Sequence, residues 1–219
     1  PWIAWETDRN LVRRRLYPVK GQLAAWSTQC DASAPPWLRQ TTQTLAATYD
    51  SPANQLVFVS AAGQLASYAN GWQSTPLASQ RVTADTPFRL ASLSKLVSFM
   101  GLVHPNPGYD ANWLNDPLVG ILGLSGPLAD ARVGDIRIRH LLSHTAGFDR
   151  LRSTDPMAEL DKQPWCPYQW HLLANTQLDF APGTRYAYAN LGYCLAAVAY
   201  EKRFGRSLWH VLEQDMQFQ

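Results

Sequence analysis

The sequence predicts an α+β fold. Three stretches carry that expectation: a hairpin pattern over 55–72 and two apolar helical patterns, one from Leu93 and one from Asn190. The hairpin reading rests on two β-prone runs, "QLVFVS" and "QLASYANGW", on either side of a turn at Ala61 to Gln64 with Gly63 as breaker. The first helix rests on Leu93, Leu96, Val97 and Met100, the i, i+3, i+4, i+7 spacing of a buried face. The second rests on Leu191, Cys194, Leu195 and Val198, with Gly205 as its stop.

Taken in order, residues 1–36 read as an N-terminal extension. That segment mixes tryptophans with an arginine run at Arg13 to Arg15, a mixture that suits peripheral contact with a membrane surface. The plainer reading is an irregular extension packed on the domain. "DASAPPW" is turn-rich and marks a boundary. The segment 37–219 then reads as one domain, opening with an amphipathic helix over 37–50. His104 to Pro107 stops the helix that begins near Leu93. "WLNDPLVGIL" reads as one short element, and "IRIRHLLSHTAGF" as an alternating run followed by a helical turn closed at Gly147. Pro182-Gly183 turns the chain before the Asn190 helix, and a last helix follows Ser207.

Composition narrows the function classes. The chain has 219 residues, 46% hydrophobic and 16% charged, a globular balance. A net charge of +2 gives no nucleic-acid footprint. No apolar run approaches the ~20 residues that span a bilayer. The first residue, Pro1, suggests a processed N-terminus. Cys30, Cys166 and Cys194 are too scattered for a metal site. In an oxidising compartment one pair can bridge and leave a thiol over. The plainer reading is three buried or bystander thiols.

Ser92 and Lys95 form a Ser-x-x-Lys motif at the start of a helix. A serine hydroxyl is a poor nucleophile until a base takes its proton. A helix N-terminus offers backbone N–H groups to an oxyanion and disfavours a nearby ammonium. Burial acts in the same direction, toward an amine that accepts a proton. The motif is common by chance, and the alternative is a solvated surface lysine. In "YAYAN", Tyr188 and Asn190 stand two apart, so an extended backbone points both to one face. Tyr188 beside Lys95 would favour its phenolate and shuttle protons, and Asn190 would offer its amide to a substrate carbonyl. The alternative is aromatic packing before a helix, with Asn190 as N-cap. His140 and His144 are four apart, but Leu141, Leu142 and Ser143 between them lack the glutamate of the metalloprotease motif. Both histidines read as structural, and no cofactor or metal is expected.

Three blocks, "TPFRLASLSKLV", "IRIRHLLSHTAGF" and "LDFAPGTRYAYANLGYCLAAVAYEKRFG", resemble in content and order the β-lactamase-related serine hydrolases. That family includes class C β-lactamases, D-alanyl-D-alanine carboxypeptidases, D-aminopeptidases and esterases. "LNDPLVGIL" resembles the segment between its first two blocks. The resemblance covers roughly 37–216. It implies a β-lactamase/transpeptidase-like α+β fold, helices around an antiparallel sheet. It implies Ser92 as the acylated nucleophile, Lys95 as its activating partner, Tyr188 as general acid/base and Asn190 as the substrate-orienting residue. The reaction implied is acylation of Ser92 by an amide, ester or β-lactam carbonyl of a small molecule or peptide, then deacylation. Family habit points to the periplasm or the extracellular space.

The sequence departs from the family in several respects, including a helix after Ser92 that His104 to Pro107 cut short. Relatives carry a Lys-Thr-Gly or His-x-Gly triplet on a later strand, which also supplies the second oxyanion N–H. Neither triplet occurs in these 219 residues, and no glycine follows Gly205. The strands expected to pair with the 55–72 hairpin are missing as well. A lone hairpin is marginal in water. The expectation is therefore the N-terminal part of a longer product, or one piece of a two-chain enzyme. Losing one oxyanion donor costs about 2.7–4 kcal/mol, a hundred- to thousandfold in rate. The alternative function is accordingly a catalytically incomplete, ligand-binding or partner-dependent module.

Overall fold

The computed structural model describes residues 28–30, 34–49, 53–71, 73, 80–104, 109–152, 155 and 163–217. Most of the Trp/Arg extension expected to touch a membrane lies outside the described residues, as does the stop at 105–107. The chain divides into two compact units, Pro1–Arg89 and Leu90–Gln219.

The first unit holds β1 (Thr28–Cys30), α1 (Pro36–Tyr49), β2 (Ala53–Val59) and β3 (Leu65–Gly71). The expected hairpin is β2–β3, registered from Ala53 opposite Gly71 to Val59 opposite Leu65. It is not alone: β1 pairs antiparallel with the far edge of β3, in the order β1-β3-β2. Thr-Gln-Cys is too short to show a period-two pattern, so the reading of 1–36 as wholly irregular is corrected at 28–30. Ala66 and Tyr68 lie buried in one cluster with Leu38 of α1, while Val57, Val59 and Leu65 are exposed. Leu38 and Thr42, one helical turn apart, are the buried positions among the described side chains of α1. The Thr42 hydroxyl donates to the Leu38 carbonyl at 2.9 Å, so its burial leaves no orphaned donor.

The second unit is helical. A 3-10 turn, Ala91–Leu93, leads into α2 (Ser94–Leu102). Then come α3 (Leu118–Leu122), α4 (Ile138–Leu142), α5 (Asn190–Phe204) and α6 (Leu208–His210), with further 3-10 turns between them. "WLNDPLVGIL" is two elements, not one: a 3-10 turn Ala111–Asn115, then α3. Asp116 precedes Pro117 and is extended (φ −66°, ψ 142°), because the proline ring disfavours helix in the residue before it.

The α5 helix is the axis of the unit, and α2, α3, α4 and α6 all touch it. Leu195, Ala196, Ala199 and Tyr200 are fully buried along it. The Trp113 ring packs edge-on against Tyr200 at 5.9 Å and Phe204 at 5.4 Å. Gly205 ends α5 in the left-handed conformation, φ 65°, as expected for a helix stop.

On α2 the expected buried face is corrected. Leu93, Leu96 and Met100 are 69%, 65% and 42% exposed, and of the four only Val97 packs on the core. The buried residues of α2 are Gly101 and Leu102. A β-carbon at Gly101 would come within 2.9 Å of the Leu208 and Leu212 side chains. So α2 docks through its small residue, and the periodic apolar stripe lies elsewhere on the helix.

Cys166 and Cys194 are joined by a disulfide, Cα–Cα 6.2 Å, where the plainer expectation was bystander thiols. The bond ties the segment before the Trp170–Asn175 turn to α5. Among the described residues no helix is long and apolar enough to cross a membrane.

Candidate active site

Ser92 sits in the Ala91–Leu93 turn, immediately before α2. Ala91 carries φ 47°, a left-handed value that costs a β-carbon residue roughly 1–3 kcal/mol. Lys95 follows in the first turn of α2 and reaches back to the serine, Nζ donating to Ser92 Oγ at 3.4 Å. Its second hydrogen bond is shorter: Nζ donates to Asn190 Oδ1 at 2.8 Å. The lysine is therefore no solvated surface group.

The other half of the site comes from the entry to α5. Ala189 is extended (φ −146°, ψ 138°), which turns Tyr188 and Asn190 to the same face. The Tyr188 hydroxyl lies 2.6 Å from Ser92 Oγ and donates to Asn190 Oδ1 at 3.3 Å. Asn190 begins α5, and its backbone N–H donates to Asp155 Oδ2 at 2.7 Å. All four residues singled out in the sequence thus meet in one hydrogen-bonded cluster within the second unit.

The electrostatics make the Tyr188 phenol more acidic than an ordinary tyrosine. Burial alone pushes the Tyr188 phenol above its ordinary pKa. Hydrogen bonds from Lys95 and Ser92, with the charges of Lys95 and Arg150, outweigh burial and hold Tyr188 below its ordinary value. Lys95 Nζ lies 4.9 Å from the centre of the Tyr188 ring, and Arg150 Cζ lies 4.9 Å from the same centre. Two cations thus flank one ring.

Sequence reasoning missed four neighbours: His144, Tyr193, Arg150 and Asp155. His144, read as merely structural, stacks against Tyr188 with centroids 4.6 Å apart and against Tyr193 at 5.4 Å. Its Nδ1 accepts the Ala189 N–H at 3.4 Å. Burial first, and the Lys95 charge second, push His144 below the ordinary histidine value, so it lines the site as a neutral ring. It also carries φ 57°, so non-glycine residues on both sides of the cluster hold positive φ. His140 is turned elsewhere: its Nδ1 accepts the Arg137 N–H at 3.2 Å, within the first turn of α4. His144 lies inside one of the motif blocks and four residues after His140, and neither signal pointed to Tyr188. Arg150 and Asp155 reach the cluster from loop positions that no spacing rule connects to Ser92. Among the described residues no three His, Cys, Asp or Glu side chains gather as a metal site.

Comparisons with known proteins fit this geometry. Residues 38–216 match the Beta-lactamase family. A protein of Dichelobacter nodosus named "Probable fimbrial assembly protein FimD, serogroup H1" is 35% identical over 204 residues, covering 93% of this chain and 51% of its own. The chain thus spans about half the length of the curated relatives it matches. Among solved structures, a beta-lactamase/D-alanine carboxypeptidase from Yersinia pestis, complexed with citrate, aligns with TM-score 0.57 and 25% identity. It covers 77% of this chain and 48% of that one. SurE aligns with TM-score 0.56 and 25% identity, over 80% of this chain and 36% of its own. The architecture is accordingly the α+β, beta-lactamase-like one: helices with a small antiparallel sheet. With its serine, lysine and tyrosine gathered at the head of α2, the chain belongs to the beta-lactamase family and, through it, to a superfamily of serine hydrolases.

Proposed function

We propose that Ser92 is the nucleophile of a serine hydrolase that acts on an amide, ester or β-lactam carbonyl through a covalent acyl-enzyme. The observation that carries this reading is the 2.6 Å contact between Ser92 Oγ and the hydroxyl of a tyrosine held toward phenolate. Tyr188 takes the Ser92 proton as Oγ adds to the carbonyl carbon. The tetrahedral intermediate places its oxyanion against the Ser92 backbone N–H, at the start of α2. Collapse breaks the bond to the leaving group, which receives the proton from Tyr188. Water then repeats the sequence on the acyl-serine, with Tyr188 first as base and then as acid. Lys95 makes the Tyr188 phenol more acidic by its hydrogen bond and charge, and it fixes Asn190 through the 2.8 Å bond. Asn190 presents its amide N–H₂ to the substrate, because its oxygen is already engaged.

A second oxyanion donor from a later strand would complete the hole. The 219 residues alone are then expected to acylate a hundred- to thousandfold more slowly than a protein that has both donors. The disulfide supports a periplasmic or extracellular site of action, since such bonds persist in oxidising compartments.

The test is covalent labelling. The folded chain is incubated with a fluorescent penicillin and, separately, with a fluorophosphonate, and the adduct is mapped by mass spectrometry. An adduct on Ser92 that is absent in Ser92→Ala supports the reading. Absence of any Ser92 adduct with both probes, in a folded sample, would sink it and favour a non-catalytic binding module.

A further inference from the structure

Tyr188 and Asn190 reach Ser92 from one extended stretch, and His144 is bonded to that stretch twice. The Ala187 N–H donates to the His144 carbonyl at 2.9 Å, and the Ala189 N–H donates to Nδ1 of its ring at 3.4 Å. One residue therefore holds the backbone on both sides of Tyr188. Ala187 and Ala189 are buried, so an N–H left unmet there is costly. The chain keeps His144 in place against its own preference: its φ of 57° is a conformation that persists only where the surroundings over-determine it. Its successor Thr145 is tied on both sides, by its N–H to the His140 carbonyl and by its carbonyl to the Gly183 N–H, each at 2.8 Å.

We propose that His144 is a positioning residue for the Ser92 reaction: the unprotonated Nδ1 of its ring holds the stretch that carries Tyr188 and Asn190, and a proton on that nitrogen releases it. The proposal rests on Ser92 being the acylated residue and adds what keeps its two partners aligned. A ring nitrogen accepts a hydrogen bond only while it carries no proton, so Nδ1 is bare and the neutral ring holds its proton on Nε2. A proton added at Nδ1 would set two donors face to face, and the Ala189 N–H would lose its acceptor. The groups that face the ring give that proton no partner. They are the phenols of Tyr188, Tyr193 and, edge-on at 5.8 Å, Tyr186, with the Lys95 ammonium behind the first two and Arg150 on the Tyr188 ring. Among the described residues no carboxylate pairs with His144. Burial and the Lys95 charge act in the same direction, toward the neutral ring.

The test follows the rate of fluorophosphonate labelling of Ser92 against pH in the native chain, His144→Phe and His144→Asn. Phenylalanine keeps an aromatic ring on Tyr188 and offers no acceptor. Asparagine places an amide oxygen where Nδ1 stands, does not titrate, and takes a positive φ more readily than most residues. His144→Phe should slow labelling about ten- to a hundredfold at neutral pH, the worth of one unmet buried N–H, and His144→Asn should recover most of that loss. In the native chain the logarithm of the rate should fall with a slope of about one below the phenol value and steepen to about two below the imidazole value, since two protons then act against the reaction. In His144→Asn the slope should stay near one. If His144→Phe fails to fold, the steepening decides alone. A native slope that never steepens overturns the proposal, as does a folded His144→Phe that labels at the native rate or a His144→Asn as slow as His144→Phe. None of these results touches the Ser92 reading, which stands or falls on whether the native chain is labelled at Ser92 at all.

Discussion

Tyr188 sets the expected pH dependence of acylation. Its reactive form is the phenolate, so the labelling rate should rise with pH through the lowered phenol value and level off below the ordinary tyrosine range. Replacing Lys95 by methionine removes a cation and a donor from the ring, and the inflection should move upward. A profile identical in Lys95→Met and the native chain would show that Lys95 does not tune the tyrosine. Tyr188→Phe keeps the stack on His144 and loses only the hydroxyl, so labelling should fall about 10²–10⁴-fold at one pH while circular dichroism is unchanged. Asp155 acts one step away. It accepts the Asn190 N–H at the head of α5, and Asp155→Ala should cost stability and loosen Asn190, whereas Asp155→Asn should restore part of both. At this scale the sequence was most legible where two residues share one short motif. Ser92 and Lys95 are three apart and Tyr188 and Asn190 two apart, so local geometry already placed each pair. Asp155 and Arg150 were invisible, because a loop residue reaches a site by tertiary packing and leaves no period or spacing behind.

Elements behave differently. Helices were legible where apolar spacing and stop residues agree, as in α5 between Asn190 and Gly205. The α2 stripe shows the limit of that reasoning. Periodicity reports that a helix has an apolar face, and it does not report which side the chain itself covers. Strand β1 went unread because three residues carry no period, and pairing with β3 alone makes them a strand. The approach to α5 is secured by Asp130, which no motif marked. Its carboxylate accepts from Arg132 Nη2 at 2.7 Å and from the Leu178 N–H at 2.9 Å, while Arg132 Nη2 also donates to the Leu178 carbonyl. The Arg132 hydrogen bond holds the Asp130 carboxyl far below the usual range, outweighing burial. A carboxyl depressed on folding contributes stability that is present above its unfolded value, near 4, and is lost as pH falls through the folded one. Asp130→Asn is therefore expected to lower the urea midpoint at pH 7 and to shrink the difference from native below pH 4. An equal deficit at both pH values would contradict the assignment.

At the scale of the molecule, the Cys166–Cys194 disulfide spans 28 positions and braces α5 against the loop before it. Closing a loop of that size is worth about 3–4 kcal/mol, so reduction or Cys194→Ser should lower unfolding stability by that order. No loss under reducing conditions would mean that the two cysteines are not bonded in solution. The 219 residues carry no Lys-Thr-Gly triplet, and they span about half the length of the curated relatives they match. The division into two units was not legible, since no linker composition marks Arg89–Leu90. One arrangement described above reaches beyond catalysis. Ser92 and Tyr188 are 96 positions apart within one compact unit. A nascent or unravelled chain therefore carries an unarmed hydroxyl that a serine-directed reagent passes over. Chemical reactivity at a single atom becomes a read-out of whether the whole helical unit has closed, usable as a titration of correctly folded molecules in a mixed preparation.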